Sequence, residues 1–252
     1  MNKQEQIMAY CRQFRTTGIA NELMDMIRTA EQQSTGYLEF TLNLLRAEAE
    51  HRQKNATQRR RKAAQLPTNC HLKHYDFSFD NGLSKSRINQ LRELNWLDQG
   101  FNLMFMGPSG TAKTFLAAGL CSDAVENGYK GYFKTMEELI NILKLKDVIR
   151  SATLQYKRLL KADLIVIDDI MLFPIETNMA VALFNFINEL YEKTSFIITT
   201  NKKAADWAKM LDDEVLATAL LDRLLFRCEI INLTGKSYRL MNKESFFESE
   251  NV

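Results

Sequence analysis

The sequence predicts an α/β fold, a parallel sheet of five strands flanked by helices, preceded by a small all-α module. Three observations predict it. Phe101–Thr114 reads FNLMFMGPSGTAKT, an apolar run, a glycine-punctuated turn, then Lys-Thr opening an apolar segment; strand, phosphate loop and helix follow one another in that order in P-loop nucleotide sites. Leu164-Ile165-Val166-Ile167 is a continuous apolar run, as a strand covered on both faces requires, and it ends in Asp168-Asp169. The first 66 residues carry apolar side chains at helical spacing.

In the helical module (1–66), Ile7, Met8, Cys11 and Phe14 form one stripe, and Leu23, Met24, Ile27 and Ala30 a second, with a break expected at Thr17-Gly18. A third helix should start near Ser34 or Thr35, with Leu38, Leu42 and Leu45 on one side. Between residues 46 and 62 it turns cationic, with seven bases against two acids in a chain whose net charge is only +2. Arg52, Lys54, Arg59, Arg60, Arg61 and Lys62 therefore read either as a solvated helix end or as contacts to a nucleic-acid backbone.

Residues 67–100 read as a linker and a lead-in helix over Ser84–Leu97. Tyr75, Phe77 and Phe79 alternate there and should pack on the next domain, with an aromatic over a nucleotide base as the alternative. His71 and His74 lack a third ligand nearby, which argues against a metal.

The ATPase-type domain spans 101–241, leaving 242–252 as a tail and little or no C-terminal lid. Gly107, Pro108, Ser109, Gly110, Thr111, Ala112, Lys113, Thr114 and Phe115 are the nucleotide-binding candidates. Glycines let the loop turn its N–H groups inward, and the helix N-terminus adds partial positive charge. Lys113 should meet the β- and γ-phosphates and the Thr114 hydroxyl Mg²⁺. Ala112 stands where the usual pattern has glycine, which by hard-sphere sterics calls for a negative φ there. Gly131–Lys134 is a short strand, and Thr135 with Glu138 forms a capping box before Leu139, Ile140 and Leu143. Lys144, Lys146 and Arg150 open a second basic stretch, again either solvated faces or a backbone-contacting surface.

Asp168 and Asp169 fall where ligands bind in open α/β sheets, at the carboxyl end of a strand. Asp168 suits the Mg²⁺ shell, and Asp169 the orienting or deprotonating of a water. A buried helix around Met179–Leu190 follows, then the strand Ser195–Asn201, whose Asn201 would lie near a γ-phosphate or be a turn residue. Leu221–Leu225 puts Arg223 on an apolar helix before a fifth strand at Cys228–Leu233, and Gly235-Lys236-Ser237-Tyr238-Arg239 follows.

Four well-separated cysteines and the absence of a signal-peptide core or an apolar run of membrane length point to a cytoplasmic chain with no membrane partner. Near-neutral net charge excludes a globally cationic nucleic-acid binder, so any such surface must be local.

The order of phosphate loop, IVIDD strand, ITTN strand, ALLDRLL helix and GKSYR resembles the AAA+ ATPases of the initiator and helicase-loader branch, above all the IstB-like transposition helpers, with DnaC-like loaders next. The likeness runs over about residues 1 to 241. It implies that Arg223 is an arginine finger given to a neighbouring subunit, Asn201 sensor 1 and Arg239 sensor 2, making Lys113, Asp169, Asn201, Arg223 and Arg239 the catalytic set. It further implies ATP with Mg²⁺, a homo-oligomer joined through ATP interfaces, duplex DNA as a partner and a cognate transposase as client. A helicase client, or a nucleotide clamp with negligible hydrolysis, are the alternatives. Two positions depart from the family: the arginine often found before the tyrosine of Leu190-Tyr191-Glu192 is missing, and Asp169 replaces the glutamate of most AAA+ proteins.

Overall fold

The computed structural model describes residues 2–241. The tail at 242–252, and the expectation about a lid, lie outside them. Two compact units meet between Arg59 and Arg60.

The N-terminal unit contains α1 (Lys3–Gln13), α2 (Thr17–Gln33) and most of α3 (Tyr37–Ala64). Asn2 caps α1 through a reciprocal box with Glu5. The chain breaks at Phe14–Thr16, with Arg15 at φ 56°, so Thr17 and Gly18 are the first turn of α2 and not the expected break. Gly18 serves close packing: a Cβ there would lie 2.6 Å from His51 Cβ on α3. Buried Glu48 of α3 accepts from the N–H groups of Gly18 (2.7 Å) and Ile19 (3.2 Å), orphan donors at the start of α2, and from Arg52 Nε at 2.6 Å. Burial pushes the Glu48 carboxyl up, but Arg52 and these two amides outweigh it and hold it below the usual carboxylate range. Leu38, Leu42 and Leu45 are exposed on α3.

The second unit is built on the sheet β1 (Asn102–Met106), β2 (Gly131–Thr135), β3 (Leu164–Asp168), β4 (Ser195–Thr200) and β5 (Cys228–Asn232), all parallel, in the order β2-β3-β4-β1-β5. The apolar runs of β1, β3 and β4 make them central: every residue of β3 and β4 is buried. Alternate side chains divide between two cores. Leu103, Phe105, Val166 and Ile197 face α4 (Lys85–Arg92), α5 (Asn95–Asp98) and α6 (Lys113–Glu126). Met104, Ile165, Ile167 and Ile198 face α7 (Met136–Leu145), α8 (Arg150–Leu159), α9 (Thr177–Leu190), α10 (Ala204–Leu211) and α11 (Glu214–Leu225). A last turn, α12, covers Tyr238–Met241.

The Thr135–Glu138 capping box forms as expected. The single helix expected over Ser84–Leu97 is instead two, because Leu94 takes a left-handed conformation (φ 62°) that buries its side chain between α4 and α5. Of the alternating aromatics, Tyr75 and Phe79 are buried while Phe77 is largely exposed. Among the described residues no helix is long and apolar enough to cross a membrane.

Candidate nucleotide site

A cavity of about 450 Å³ opens beyond the carboxyl ends of β1 and β3. Ser109, Gly110, Ala112, Lys113, Thr114 and Phe115 form one wall, Asp169, Tyr238 and Arg239 line it further round, and Pro67, His74, Tyr75 and Phe79 bring an aromatic side from the linker.

The loop that forms the first wall is fixed by its contacts with the segment after β5. Gly107 has φ 152°, and a Cβ on it would come 2.3 Å from the Leu233 carbonyl oxygen. Gly110 has φ 84°, and a Cβ there would sit 2.1 Å from Ser237 Oγ. No side chain fits at either position. Ala112 corrects the sequence reading: its φ is +71°, not negative, so it caps α6 in the left-handed region that glycine would occupy more easily. Ala112→Gly is therefore expected to stabilise the chain by about 0.5–1 kcal/mol with nucleotide affinity retained. Thermal melts with and without ATP check this, and a lower melting temperature would refute it.

Lys113 is buried, and its Nζ donates to the Gly107 and Pro108 carbonyls, both at 2.8 Å. Burial lowers its pKa, while Asp169 and Asp168 act in the opposite sense. Thr199 of β4 joins the two acids: its hydroxyl donates to Asp168 Oδ1 at 2.6 Å and accepts from the Asp169 N–H at 2.8 Å. Burial raises the Asp168 carboxyl; Asp169 adds to this, and hydrogen bonds from Thr199 and Thr114, with Lys113 nearby, oppose it. Asp169 itself adopts φ 55°, which turns it out of the strand toward the cavity.

The Thr114 side chain thus lies near enough to the Asp168 carboxylate, beside the lysine, to help hold that carboxyl down. A hydroxyl and one carboxylate are the hard oxygen donors Mg²⁺ takes when phosphates and waters complete its shell. Among the described residues no cluster of three or more His, Cys, Asp or Glu could cage an ion unaided.

Sequence reasoning missed two residues here. Thr199 is one. The other is Asn81, only 1% exposed, whose Nδ2 donates to the Thr111 carbonyl (3.1 Å) and Tyr75 Oη (2.7 Å) while its own carbonyl accepts from the Thr234 N–H (3.0 Å). It fastens the phosphate loop to the aromatic wall and to the segment after β5. Asn-Gly in a linker signals only a turn; the burial is the signal, and that needs the fold.

Arg239 lines the cavity with Lys113, whereas Asn201 lies just past β4, exposed and outside the lining. Arg223 is elsewhere. It lines a second cavity, of about 620 Å³, with Asn102, Asp163 and Ser195 at the amino ends of β1, β3 and β4. There its Nε donates to Asn188 Oδ1 (2.8 Å), Nη1 to the Ala219 carbonyl (2.9 Å), and the guanidinium stacks 4.6 Å from the Phe184 ring. It is half-buried, and the phosphate loop of its own chain is at the other end of the sheet.

The basic candidates are used unevenly. Arg52 pairs with Glu48, Arg60 donates to the Val125 carbonyl at 3.3 Å, and Arg61 meets His71 and Glu126. Lys146 lies 4.3 Å over the Tyr156 ring. Lys54, Arg59, Lys62, Lys144 and Arg150 are exposed.

The description IstB-like ATP binding protein, as a family model, matches residues 9–245. The chain is 41% identical over 248 residues to a Bacteroides fragilis protein whose name gives it ATP binding and an IS21-like insertion sequence, covering 98% of this chain and 94% of that one. A Geobacillus stearothermophilus protein similarly named for IS5376 is 34% identical, over 95% of each chain. In fold, the unit resembles the DnaC helicase loader (TM-score 0.53, 23% identity, 66% of this chain and 98% of that one) and DnaI (TM-score 0.54, 16% identity, 69% and 94%). With a family match over nearly its whole length and a phosphate loop, paired acids and five-stranded parallel sheet to hold them, the chain belongs to the IstB-like ATP-binding proteins, on a P-loop AAA+ fold.

Proposed function

We propose that the protein is a Mg²⁺-dependent ATPase of DNA transposition, a cytoplasmic switch that assembles on duplex DNA in its ATP state and recruits a transposase. One observation carries the nucleotide chemistry: a single cavity collects Lys113, Thr114, Asp169 and Arg239, with Asp168 held beside Asp169 through the Thr199 hydroxyl. Lys113 and the loop amides bind the β- and γ-phosphates, Thr114 and Asp168 hold the ion, and Asp169 orients the attacking water. The ion that Thr114 and Asp168 would hold would supply positive charge against the charge developing on the transferred group. Arg239 supplies positive charge from within the subunit, and the aromatic side receives the base. Arg223, remote from its own pocket, serves a neighbour's.

The insertion-sequence names of relatives support the transposition setting. The test is sedimentation of the full chain with 50-bp-scale duplex DNA, with and without ATP and Mg²⁺. Large DNA-bound assemblies that require ATP are expected; identical profiles with and without nucleotide would overturn the reading. Co-purification with the transposase of the same element, against a replicative helicase, identifies the client.

A further inference from the structure

We infer that the pocket beside β2 is a second, separate anion site, which takes one phosphate group of a nucleic-acid backbone. The inference rests on the DNA-binding reading above and extends it from Lys62 to Lys134, Ser151, Gln155 and Arg158, which the site residues of the sequence reading did not include.

The pocket has a volume of about 330 Å³ and shares no lining residue with the nucleotide cavity. Lys134 of edge strand β2 lies at its floor, with only 5% of its side chain exposed. Lys62, from the end of α3, and Arg158, from α8, are exposed at its rim, and Ser151 and Gln155 of α8 add neutral donors. No carboxylate lines it. The two basic runs of the sequence, whose members Lys62 and Arg158 are 96 residues apart, therefore converge on one concavity.

The floor explains why this is a site and not a solvated basic patch. A buried ammonium is costly unless a counter-charge or a full set of acceptors compensates it. Lys134 donates to the side-chain amide oxygen of Gln65, which is neutral. Gln65 reaches it because the chain turns out of α3 there in a left-handed conformation, φ 54°. The nearest carboxylate, Glu138, is 4.0 Å away, 56% exposed, and already accepts from the Thr135 N–H at 3.1 Å. The lysine is held in place but only weakly paired, by an exposed carboxylate at the outer limit of ion-pair distance. A phosphate oxygen entering between Lys62 and Arg158 would supply the missing charge, and Ser151 and Gln155 would satisfy its other lone pairs. The two rim cations stand on different elements, so a backbone can cross the pocket while one of its phosphates enters.

The test compares wild type, Lys134→Gln and Lys134→Arg as full chains with ATP, titrated with duplex DNA between 50 and 200 mM salt. Lys134→Gln should weaken binding by roughly 5- to 10-fold at low salt and flatten the slope of log K against log salt by about 1, with ATP affinity unchanged. Lys134→Arg should retain both. If Lys134→Gln does not fold, the surface double variant Lys62→Ala/Arg158→Ala should lower the slope by about 2. An unchanged slope in the variants that fold overturns the inference. Titration with inorganic phosphate separates the sources: phosphate binding lost in Lys134→Gln while duplex binding is unaltered overturns the backbone assignment. If wild type binds no duplex at all, the DNA reading fails. Phosphate binding lost in Lys134→Gln then supports the anion site, and phosphate binding that is absent or unaltered refutes it.

Discussion

Lys113→Met is expected to lower ATP turnover by about 10²- to 10³-fold, the cost of removing one positive group aimed at developing phosphoryl charge, without unfolding the chain. The two effects separate because of where the ammonium sits. It is buried, and folding lowers its pKa, so the free protein carries a desolvated charge that its two carbonyl acceptors only partly compensate. A base with a lowered folded pKa opposes folding at neutral pH, and the penalty fades as pH rises through that pKa toward the ordinary lysine value. Methionine keeps most of the volume and removes the charge, so stability should stay within about 1 kcal/mol of wild type. Steady-state turnover and thermal melts on the same preparations check both halves. A variant that turns over ATP like wild type would remove Lys113 from the phosphates.

Arg223→Ala should cost roughly 10³-fold or more in turnover, the range for an arginine finger, with nucleotide affinity little changed. The distinguishing measurement is a mixture. The Arg223→Ala subunit keeps a sound lysine and the Lys113→Met subunit a sound arginine, so a 1:1 mixture that pairs at random restores about a quarter of the composite sites. Activity in the mixture well above the sum of its parts is the expected result. If mixing rescues nothing, the arginine acts only through Asn188, the Ala219 carbonyl and Phe184, as a structural residue of its own chain.

The parts of this molecule that the sequence announces are those whose cause is local. Val166 and Ile167 lie in an unbroken apolar run because both faces of β3 are covered, and Thr135 caps α7 because Glu138 follows three residues later. The parts that were not legible depend on distant partners. Thr199 matters because it faces Asp168 across 31 residues, and Asn81 because Thr111 lies 30 residues away; no local pattern marks either. Ala112 was misread for a related reason, since its φ is imposed by the packed start of α6 and not by its own preference. The convergence of Lys62, Lys134 and Arg158 was likewise invisible, because Lys134 is a single base in a short strand, Gly-Tyr-Phe-Lys-Thr, far in sequence from both other cations.

The separation of Lys113 and Arg223 to opposite ends of one sheet gives any head-to-tail run of these chains a direction. If Arg223 completes a neighbour's pocket as proposed, an open run leaves its first subunit an arginine with no pocket to enter and its last a pocket with no arginine, so n subunits would hold n − 1 competent sites. A closed ring has neither leftover. Turnover per subunit would then climb with length in the first arrangement and stay constant in the second, so a length-dependent rate would gauge how many chains have joined an open run, and a constant one would mark a ring.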